Sequence, residues 1–494
     1  MNRKTIELGS SWSEQKLRQL FDTSTDVKLQ KFHFQGLDKS SDLMLIFSEG
    51  LCDSSLIVKI VQPELNRVFH QVGFESFVLG QSVGPLPLIP FEKGGTQEDI
   101  VDAVFQGDLV LVFLNTNTLF SLNLSHRPDR SPEESSTEIS IKGPKDGFVE
   151  SYLTNIALIR KRIRSTSLCC ESFILGKRTR TKVGLLYISD ILSPTILKEV
   201  RARLNKIDVD GLYSVNQLEE ALSDVKYPLF PLLDFSGRPD YAVSGLLAGR
   251  FVIIIDGNPL CLIGPASFGL VLKSPEDVHF SFQYVSFARL IRVLSFWLSL
   301  LLPGFWVALS AFHQDQIPFR LMATISVSRL GLPFSAQMEM FILLMLLEIF
   351  REAGVRLPTS IGQTLTVIGA LVIGDAAIRS GLVSPSVVVV GAITAVMGVT
   401  LVNQTLSTIL SVLRLAIFIV SSVIGMYGLI LCIILLLFYM SRLKSFGVPY
   451  LAPLSPPYMR DILRGYLRLP WSKMRYRPKA IHPIDPDHQG DDNQ

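Results

Sequence analysis

The chain has 494 residues, and its charged side chains are spread too unevenly for a single soluble globular domain. Residues 286–441 contain 13 of the 91 charged side chains, about 8% of their positions, whereas the remaining 338 residues carry 78, about 23%. Only the second value is close to the roughly 25% of an ordinary globular domain. The composition predicts a membrane-embedded block at 286–441 with soluble regions on both sides, and it excludes a protein that is soluble throughout.

Charge, cysteine content and the N-terminal sequence indicate the compartment of the soluble part. Residues 1–285 have 30 basic and 34 acidic side chains, so they lack the basic excess of a nucleic-acid-binding domain. The N-terminus runs into polar sequence without the apolar core of a secretory signal. The five cysteines are an odd number without metal-ligand spacing, as in a reducing compartment. We expect a cytosolic region and no nucleic-acid partner.

Two stretches of the soluble part resemble each other at an offset of about 140 residues. An apolar strand that leads into a polar turn at 42–47 recurs at 182–187. A helix that ends at a glycine before a buried strand, at 104–114, recurs at 246–255. Glycine can adopt the left-handed conformation that ends many helices, and short apolar runs suit strands that are covered on both faces. The repeat predicts two similar mixed α/β units.

A polar, proline-containing segment between the two copies has the composition of a linker. We therefore predict five regions, in which two α/β units precede a multi-pass helical membrane domain. They are a first cytosolic α/β subdomain at 1–125, a linker at 126–140, a second cytosolic α/β subdomain at 141–285, a transmembrane helical domain at 286–441 and a basic cytosolic tail at 442–494.

A helix predicted at 147–164 ends in the basic run RKRIR at 160–164. Cations are stabilised at a helix C-terminus, so this run is interpreted as a solvated helix end. Contact with anionic lipid headgroups is the alternative, because clusters of 4–8 basic residues bind a cytoplasmic leaflet.

Uncharged runs in the apolar block predict its spanning helices. The run at 293–312 has twenty residues, which match the thickness of a bilayer core, and 357–374 has eighteen. The thirty-four residues at 380–413 are too many for one crossing, so we expect one helix that begins near Pro385 and an adjoining apolar segment. The run at 415–441 is the strongest span by composition, with Arg414 expected to snorkel at its start.

The topology follows from the remaining charges. Glu339 and Glu348 interrupt the stretch 335–350, which is predicted to be interfacial or re-entrant rather than a full crossing. The segment 442–479 holds nine basic residues and one acidic residue, so the positive-inside rule places it in the cytosol. Both termini are then cytosolic and the number of crossings is even, and we favour four over six.

Motifs for phosphate binding, dinucleotide binding, serine hydrolysis and zinc hydrolysis are missing from the sequence. We therefore expect no catalytic site, no cofactor and no metal site. Asp375 and Arg379 are four residues apart and are predicted to form an ion pair at the membrane surface.

A stripe of small residues marks one face of the helix predicted to begin near Pro385. Gly391, Ala395 and Gly398 recur at helical spacing, and Thr394 lies beside them. Close helix packing is one interpretation of such a stripe. The alternative is a candidate ion pathway with a hydrophobic constriction, and its residues are Val387, Val388, Gly391, Thr394, Ala395 and Gly398.

Four longer runs resemble a known family. They are IKGPKDGFVE at 141–150, LPGFWVAL at 302–309, REAGVRLP at 351–358 and SFGVPYLAP at 445–453. Shorter runs at 369–374, 381–385, 469–471 and 477–478 add to them. Together these runs resemble the A subunits of GerA-type spore germinant receptors, from about residue 140 to 478.

The resemblance implies a function that composition does not supply. It implies a location in the inner membrane of dormant spores, and a complex with a permease-like B subunit and a lipoprotein C subunit. It also implies that copies of the chain assemble into a homo-oligomer, a nutrient-gated cation channel that starts germination. A non-conducting scaffold subunit and a secondary transporter remain alternatives, although a transporter is expected to show inverted repeats in its apolar half.

Overall fold

The computed structural model forms two compact units, each assembled from separate stretches of the chain. The residues that the structure describes are 12–35, 40–71, 73, 74, 86–91, 96–125, 138, 140–356 and 375–488. Unit 1 comprises 1–224, 233–265 and 475–494, and unit 2 comprises 225–232 and 266–474. The predicted linker at 126–140 lies almost wholly outside the described residues, as do the predicted span at 357–374 and the motif at 369–374.

Unit 1 begins with an antiparallel sheet of five strands in the order β1-β2-β4-β5-β3. The strands are β1 (Val27–Gln35), β2 (Ser40–Ser48), β3 (Ile89–Pro90), β4 (Asp108–Phe113) and β5 (Thr118–Asn123). The helices beside it are α1 (Glu14–Leu20), α2 (Gln62–Gln71), which a π-helical turn at Ile57–Val61 precedes, and α3 (Gln97–Gln106).

Both faces of this sheet are covered, which explains why its central strands β2 and β4 each contain an uninterrupted run of five apolar residues. In β2, Leu43 and Leu45 pack with the helical stretch that includes Ile57, whereas Met44 and Ile46 pack with α1 and α3. Alternate residues of a strand point to opposite faces, so an uninterrupted apolar run is expected where helices cover both.

A second five-stranded antiparallel sheet has the order β6-β7-β9-β10-β8, which is the strand order of the first sheet. Its strands are β6 (Leu168–Leu175), β7 (Thr181–Ile188), β8 (Asp234–Ser236), β9 (Phe251–Ile255) and β10 (Cys261–Gly264). The accompanying helices are α4 (Tyr152–Arg160), α5 (Pro194–Lys206), α6 (Val215–Leu222) and α7 (Pro239–Leu247). The two copies of the repeat seen in the sequence fall on corresponding strands, β2 and β7, and β4 and β9.

Gly107 and Gly249 occupy matching positions in the two sheets. Each follows a helix and precedes a central strand, with φ of 95° and 90°. Only glycine adopts this backbone region without steric cost, so both helices can end sharply and feed the chain into β4 or β9.

The C-terminal segment 475–488 also belongs to unit 1. Arg477 Nε donates to the carbonyl of Leu247 at 2.9 Å, and Ile484 N donates to the carbonyl of Ile191 at 2.9 Å. The end of the described chain is therefore fixed to the second α/β half.

Unit 2 is helical. Its main helices are α8 (Phe282–Phe312), α9 (Phe319–Ser328), α10 (Ala336–Arg356), α11 (Pro385–Val399), α12 (Gln404–Ile424), α13 (Met426–Arg442) and α14 (Met459–Tyr466). A two-stranded hairpin, β11 (Lys444–Ser445) and β12 (Val448–Pro449), follows α13. α8 contacts α10, α11, α12 and α13, so it is the central helix. The prediction of α/β sheets in the N-terminal half followed by helices is confirmed.

By length and composition, two helices among the described residues could cross a membrane, Phe282–Phe312 and Gln404–Ile424. Pro385–Val399 and Met426–Arg442 are shorter apolar helices, with 15 and 17 residues.

The single span predicted at 415–441 is wrong, because the chain changes direction at Gly425. This residue has φ of 69°, and a Cβ there would lie 3.0 Å from the Phe312 ring. Arg414 is consequently in the middle of α12 rather than at the start of a helix. An uninterrupted apolar run hides such a break, because the residues on both sides are equally hydrophobic.

Candidate functional site in the helical unit

The helix that carries the predicted ion pathway, α11, packs one face into unit 2. Val387 and Thr394 are 1% and 0% exposed, and Gly391 lies on the same face because residues three and four apart align on a helix. This face belongs to a hydrophobic cluster with Met340 and Leu343 of α10. These three predicted residues are therefore brought together in the interior of the unit.

Gly391 allows α10 and α11 to approach closely. A Cβ at this position would lie 2.4 Å from Leu343 Cδ2 and 3.1 Å from its Cγ, so any larger side chain displaces Leu343. The Thr394 hydroxyl donates to the carbonyl of Val390 at 2.8 Å, which satisfies it inside its own helix. Both observations favour close packing as the role of this face within one chain, and a role in an ion pathway stays a prediction.

The other three predicted pathway residues lie at the border of this buried face. Val388, Ala395 and Gly398 are half-buried. Gly398 faces α12, where a Cβ would lie 3.9 Å from Arg414 Nη1, and its carbonyl accepts from Ser407 Oγ at 3.4 Å. The six predicted residues therefore divide into a buried set and a border set.

Asp375 and Arg379 form an ion pair in which Arg379 Nε lies 2.8 Å from Asp375 Oδ2. Both side chains are exposed, so solvent and salt screen this pair. It lies directly before the loop that leads into α11, and Ala377 of the same turn packs against the buried face described above.

A polar cluster joins α10 to α12 and lies among apolar helices. The Glu348 carboxylate bonds Arg414 through one oxygen and lies 2.9 Å from Arg351 Nη2 through the other. Arg351 also donates to Ser411 Oγ and to the carbonyl of Ser407, and Arg414 Nη2 donates to Ser411 Oγ at 3.2 Å. We call this set, Glu348, Arg351, Ser407, Ser411 and Arg414, the Glu348 cluster.

The Glu348 cluster satisfies charges that are costly in an apolar environment. The Arg414 side chain is about one-tenth exposed, and that of Glu348 about one quarter. Two guanidinium groups share one carboxylate, and serine oxygens accept a further hydrogen bond from each of them, which lowers the desolvation cost of buried charges. The prediction that Arg414 snorkels at a helix end is wrong. The usable signal was a set of ionisable residues within apolar runs, which marks a functional position in membrane proteins.

A second carboxylate among the apolar helices, that of Glu339, lies at the N-terminus of α11. Its side chain is fully buried, and Oε2 accepts from the backbone N–H of Ser384 at 2.9 Å, immediately before Pro385. Its Oε1 lies 3.4 Å from Arg329 Nε. The first backbone N–H groups of a helix carry positive partial charge, so a carboxylate here stabilises the start of α11. Glu339 thereby joins α10 to α11, as Glu348 joins α10 to α12.

The family described as Bacillus/Clostridium GerA spore germination protein matches residues 15–480. Spore germination protein XA of Bacillus anthracis is 40% identical over 491 residues, which cover 99% of each chain. Spore germination protein KA of Bacillus subtilis is 35% identical over 96% of this chain and 86% of its own length.

A solved structure is also similar. It is the crystal structure of the N-terminal domain of the A subunit of the Bacillus megaterium spore germinant receptor GerK3. The match covers 51% of this chain and 93% of that chain, with 25% sequence identity and a TM-score of 0.37. The family match extends over nearly the whole sequence, and the identity of 40% holds from end to end. This chain therefore belongs to the GerA family of spore germination proteins.

Proposed function

We propose that this chain is a multi-pass membrane subunit of a spore germinant receptor. In this proposal it lies in the inner membrane of the spore with both termini in the cytosol. It assembles with a permease-like B subunit, a lipoprotein C subunit and further copies of itself. The assembly is a nutrient-gated cation channel that starts germination, and the chain has no catalytic role.

The distribution of polarity in unit 2 carries the proposal. Large apolar side chains are exposed along its helices, among them Leu294, Val396, Val412, Val423 and Ile434. Charged side chains, by contrast, pair in its interior, at Glu339 and in the Glu348 cluster. A soluble protein would arrange these groups the other way round, whereas a helical bundle in lipid exposes apolar surface and pairs its charges inside.

The C-terminal segment supports an even number of crossings. Residues 475–488 pack within unit 1, together with strands that precede unit 2 in the sequence. If unit 2 lies in the membrane, the chain must leave and return on the same side. The packing of this segment does not depend on the basic charge of the tail, and the even number that it supports includes the four crossings that we favour.

The arrangement of α11 supports an ion pathway between copies of the chain. Val389, Ile393 and Val396 are exposed on the side away from α10, and Val388 and Ala395 lie between them and the buried face, whereas Gly398 faces α12 of the same chain. In this proposal Val388 and Ala395 face the pathway at the contact between copies. The buried residues Val387, Gly391 and Thr394 hold the helix in position on α10.

Reconstitution in liposomes tests conduction. The purified chain, alone and with its B and C subunits, is inserted into potassium-loaded vesicles, and potassium release is recorded with and without nutrient. We expect release that depends on this chain and, in the complete complex, on nutrient. Intact complexes that bind nutrient and release no cation would instead favour the non-conducting scaffold.

Cysteine labelling tests topology separately from conduction. Single cysteines at positions 10 and 480 should resist a membrane-impermeant reagent applied from outside intact cells and react after permeabilisation. Efficient labelling at 480 before permeabilisation would mean an odd number of crossings and would contradict the proposed topology.

A further inference from the structure

A short loop from the soluble part of the sequence belongs to unit 2. Residues 225–232 lie between α6 and β8 in the chain, yet they pack with the end of α13. Leu229 N donates to the hydroxyl of Tyr439 at 2.8 Å. Phe230 is fully buried, with its ring centroid 6.4 Å from that of Tyr439 and 6.0 Å from that of Tyr450.

The far end of the loop is fixed as well. The carbonyl of Leu232 accepts hydrogen bonds from Ser445 Oγ at 2.6 Å and from Ala266 N at 3.1 Å. Ser445 belongs to the hairpin that directly follows α13. These contacts fix the position of the loop beside the C-terminal end of α13.

The outer side of the loop is apolar, aromatic and basic. Tyr227 is 80% exposed and Leu229 47%, and Val225 is exposed beside them. Lys226 Nζ lies 5.7 Å from the centre of the Tyr227 ring. Exposed side chains of this kind on a loop that the structure holds in place indicate a surface that is covered in the working protein.

The loop also contains Pro228 and Pro231, which have no backbone N–H. Fewer donors need a partner in such a segment than in an ordinary loop, and this lowers the cost of placing it where water is scarce.

The end of α13 indicates which environment covers the loop. The helix is apolar from Met426 onward, and its exposed residues Ile434 and Phe438 are large and hydrophobic. It ends with Tyr439 and with Arg442, whose guanidinium lies 5.6 Å from the centre of the Phe438 ring. Tyrosine and arginine at the end of an apolar helix mark the boundary between hydrocarbon and water.

We propose that the 225–232 loop lies in the headgroup region of the bilayer. Tyr227 and Leu229 insert at the boundary of the acyl chains, and Lys226 contacts the phosphates of anionic lipids. The inference rests on the proposed embedding of unit 2 and goes beyond it, because it assigns a membrane contact to a segment whose sequence lies among the α/β elements. The lipid surface is favoured over a protein partner because the loop is fixed to the polar end of an apolar helix.

Fluorescence quenching in liposomes tests the proposal with the full chain. Single cysteines replace Tyr227, Leu229, Ile434 or Val58, and each carries the same environment-sensitive dye. Ile434, 58% exposed on α13, is the control for membrane embedding, and Val58, 61% exposed in the first α/β half, is the control for water. Unsubstituted protein gives the background from native cysteines. Lipids with a nitroxide at the headgroup or deep in the acyl chain are the quenchers, and iodide is the water-soluble one.

We expect the headgroup nitroxide to quench the dye at 227 and 229 at least about two-fold more than the deep one, since interfacial segments lie only about 5–10 Å into this boundary. Ile434 should be quenched by the lipid probes, and Val58 only by iodide. If Ile434 responds to lipid while 227 and 229 respond only to iodide, the inference is overturned and the embedding of unit 2 stands. Protection of 227 and 229 from both quenchers would mean that a protein covers the loop, which also overturns it. If Ile434 itself does not respond to lipid, the proposed embedding fails, and the inference with it.

Discussion

Arg160 donates hydrogen bonds to both carboxylate oxygens of Asp26, with Nε–Oδ2 of 3.1 Å and Nη2–Oδ1 of 3.2 Å, and both side chains are buried. Arg160 ends α4 of the second α/β half, and Asp26 immediately precedes β1 of the first. The guanidinium also lies 4.2 Å from the centre of the Phe105 ring. Arg162, two residues beyond the end of α4, pairs with Asp146 at 2.6 Å, but both side chains are partly exposed. The solvated helix end predicted for this run is therefore wrong for Arg160, whereas Lys161 and Arg164 are exposed.

We expect Asp26→Ala to weaken the contact between the two α/β halves. It leaves the Arg160 guanidinium buried without its carboxylate, which costs about 3–5 kcal/mol in comparable cases. Cys170 reports the opening, since its backbone pairs with Thr23 and Thr25 of the first half. The labelling rate of this buried thiol in the folded chain should rise. Glu49→Gln, which removes an exposed pair with Lys28, is the control and should change it little. Equal labelling rates in both variants would contradict this role for Arg160.

The α/β half was predictable because its signals are local. A helix that ends at Gly107 or Gly249 before an apolar strand is visible within about ten residues, and its repetition indicates a duplicated fold. The contacts that join the elements are not local. Asp26 and Arg160 are 134 residues apart, and Glu348 and Arg414 are 66 apart. No periodicity connects such pairs, so the sequence shows the charges without their partners.

Glu219 predicts a pH dependence of stability in the second α/β half. Burial raises the pKa of this carboxyl to about 7, against a backbone hydrogen bond at Leu233 that lowers it. Because the folded chain binds the proton more tightly than the unfolded chain does, this group stabilises the fold most at low pH. Its contribution to the free energy of unfolding falls as pH rises from about 4.5 to 7. Because a shift of one pKa unit corresponds to about 1.4 kcal/mol, the total loss is about 3 kcal/mol.

Replacement of Glu219 by glutamine removes this titration. We expect Glu219→Gln to raise the thermal unfolding midpoint of the solubilised chain at pH 8 and to have little effect at pH 5. Glu220→Gln, on the exposed side of the same helix, is the matched control and should shift both values much less, because its charge is the smallest cause of the raised pKa of Glu219. A stabilisation that is equal at both pH values would show that packing, rather than ionisation, is responsible.

Substitutions of Glu348 and Arg414 in the Glu348 cluster should lower the stability of the chain by different amounts. Glu348→Ala leaves the buried Arg414 guanidinium and the partly exposed Arg351 guanidinium without their carboxylate. Breaking a buried pair such as that of Arg414 costs about 3–5 kcal/mol. Arg414→Met removes one partner, while Glu348 keeps Arg351 at 2.9 Å. We therefore expect the amount of folded chain in spore membranes to fall more for Glu348→Ala. Asp375→Asn, at the exposed pair, should leave it near normal. The reverse order of the first two variants would mean that Arg351 is not an effective partner.

Thr394 and Val388 separate the packing role of α11 from a role in an ion pathway. Thr394 is fully buried, so Thr394→Leu adds volume to a packed interior and should cost about 1–3 kcal/mol, seen as a lower level of the chain in spore membranes. Thr394→Val keeps the shape and removes the hydroxyl that bonds Val390, so it should accumulate better than the leucine variant.

Val388 lies on the half-buried border of the same helix. In the proposed assembly a smaller side chain there widens the hydrophobic constriction, which closes the pathway by excluding water. Val388→Ala should therefore accumulate normally and release cations, followed by germination, without nutrient. The three variants are compared by membrane protein level, cation release and germination in the same spores. Normal levels of Thr394→Leu with blocked release would instead place the hydroxyl on the pathway. Nutrient dependence that Val388→Ala leaves unchanged would remove Val388 from the constriction.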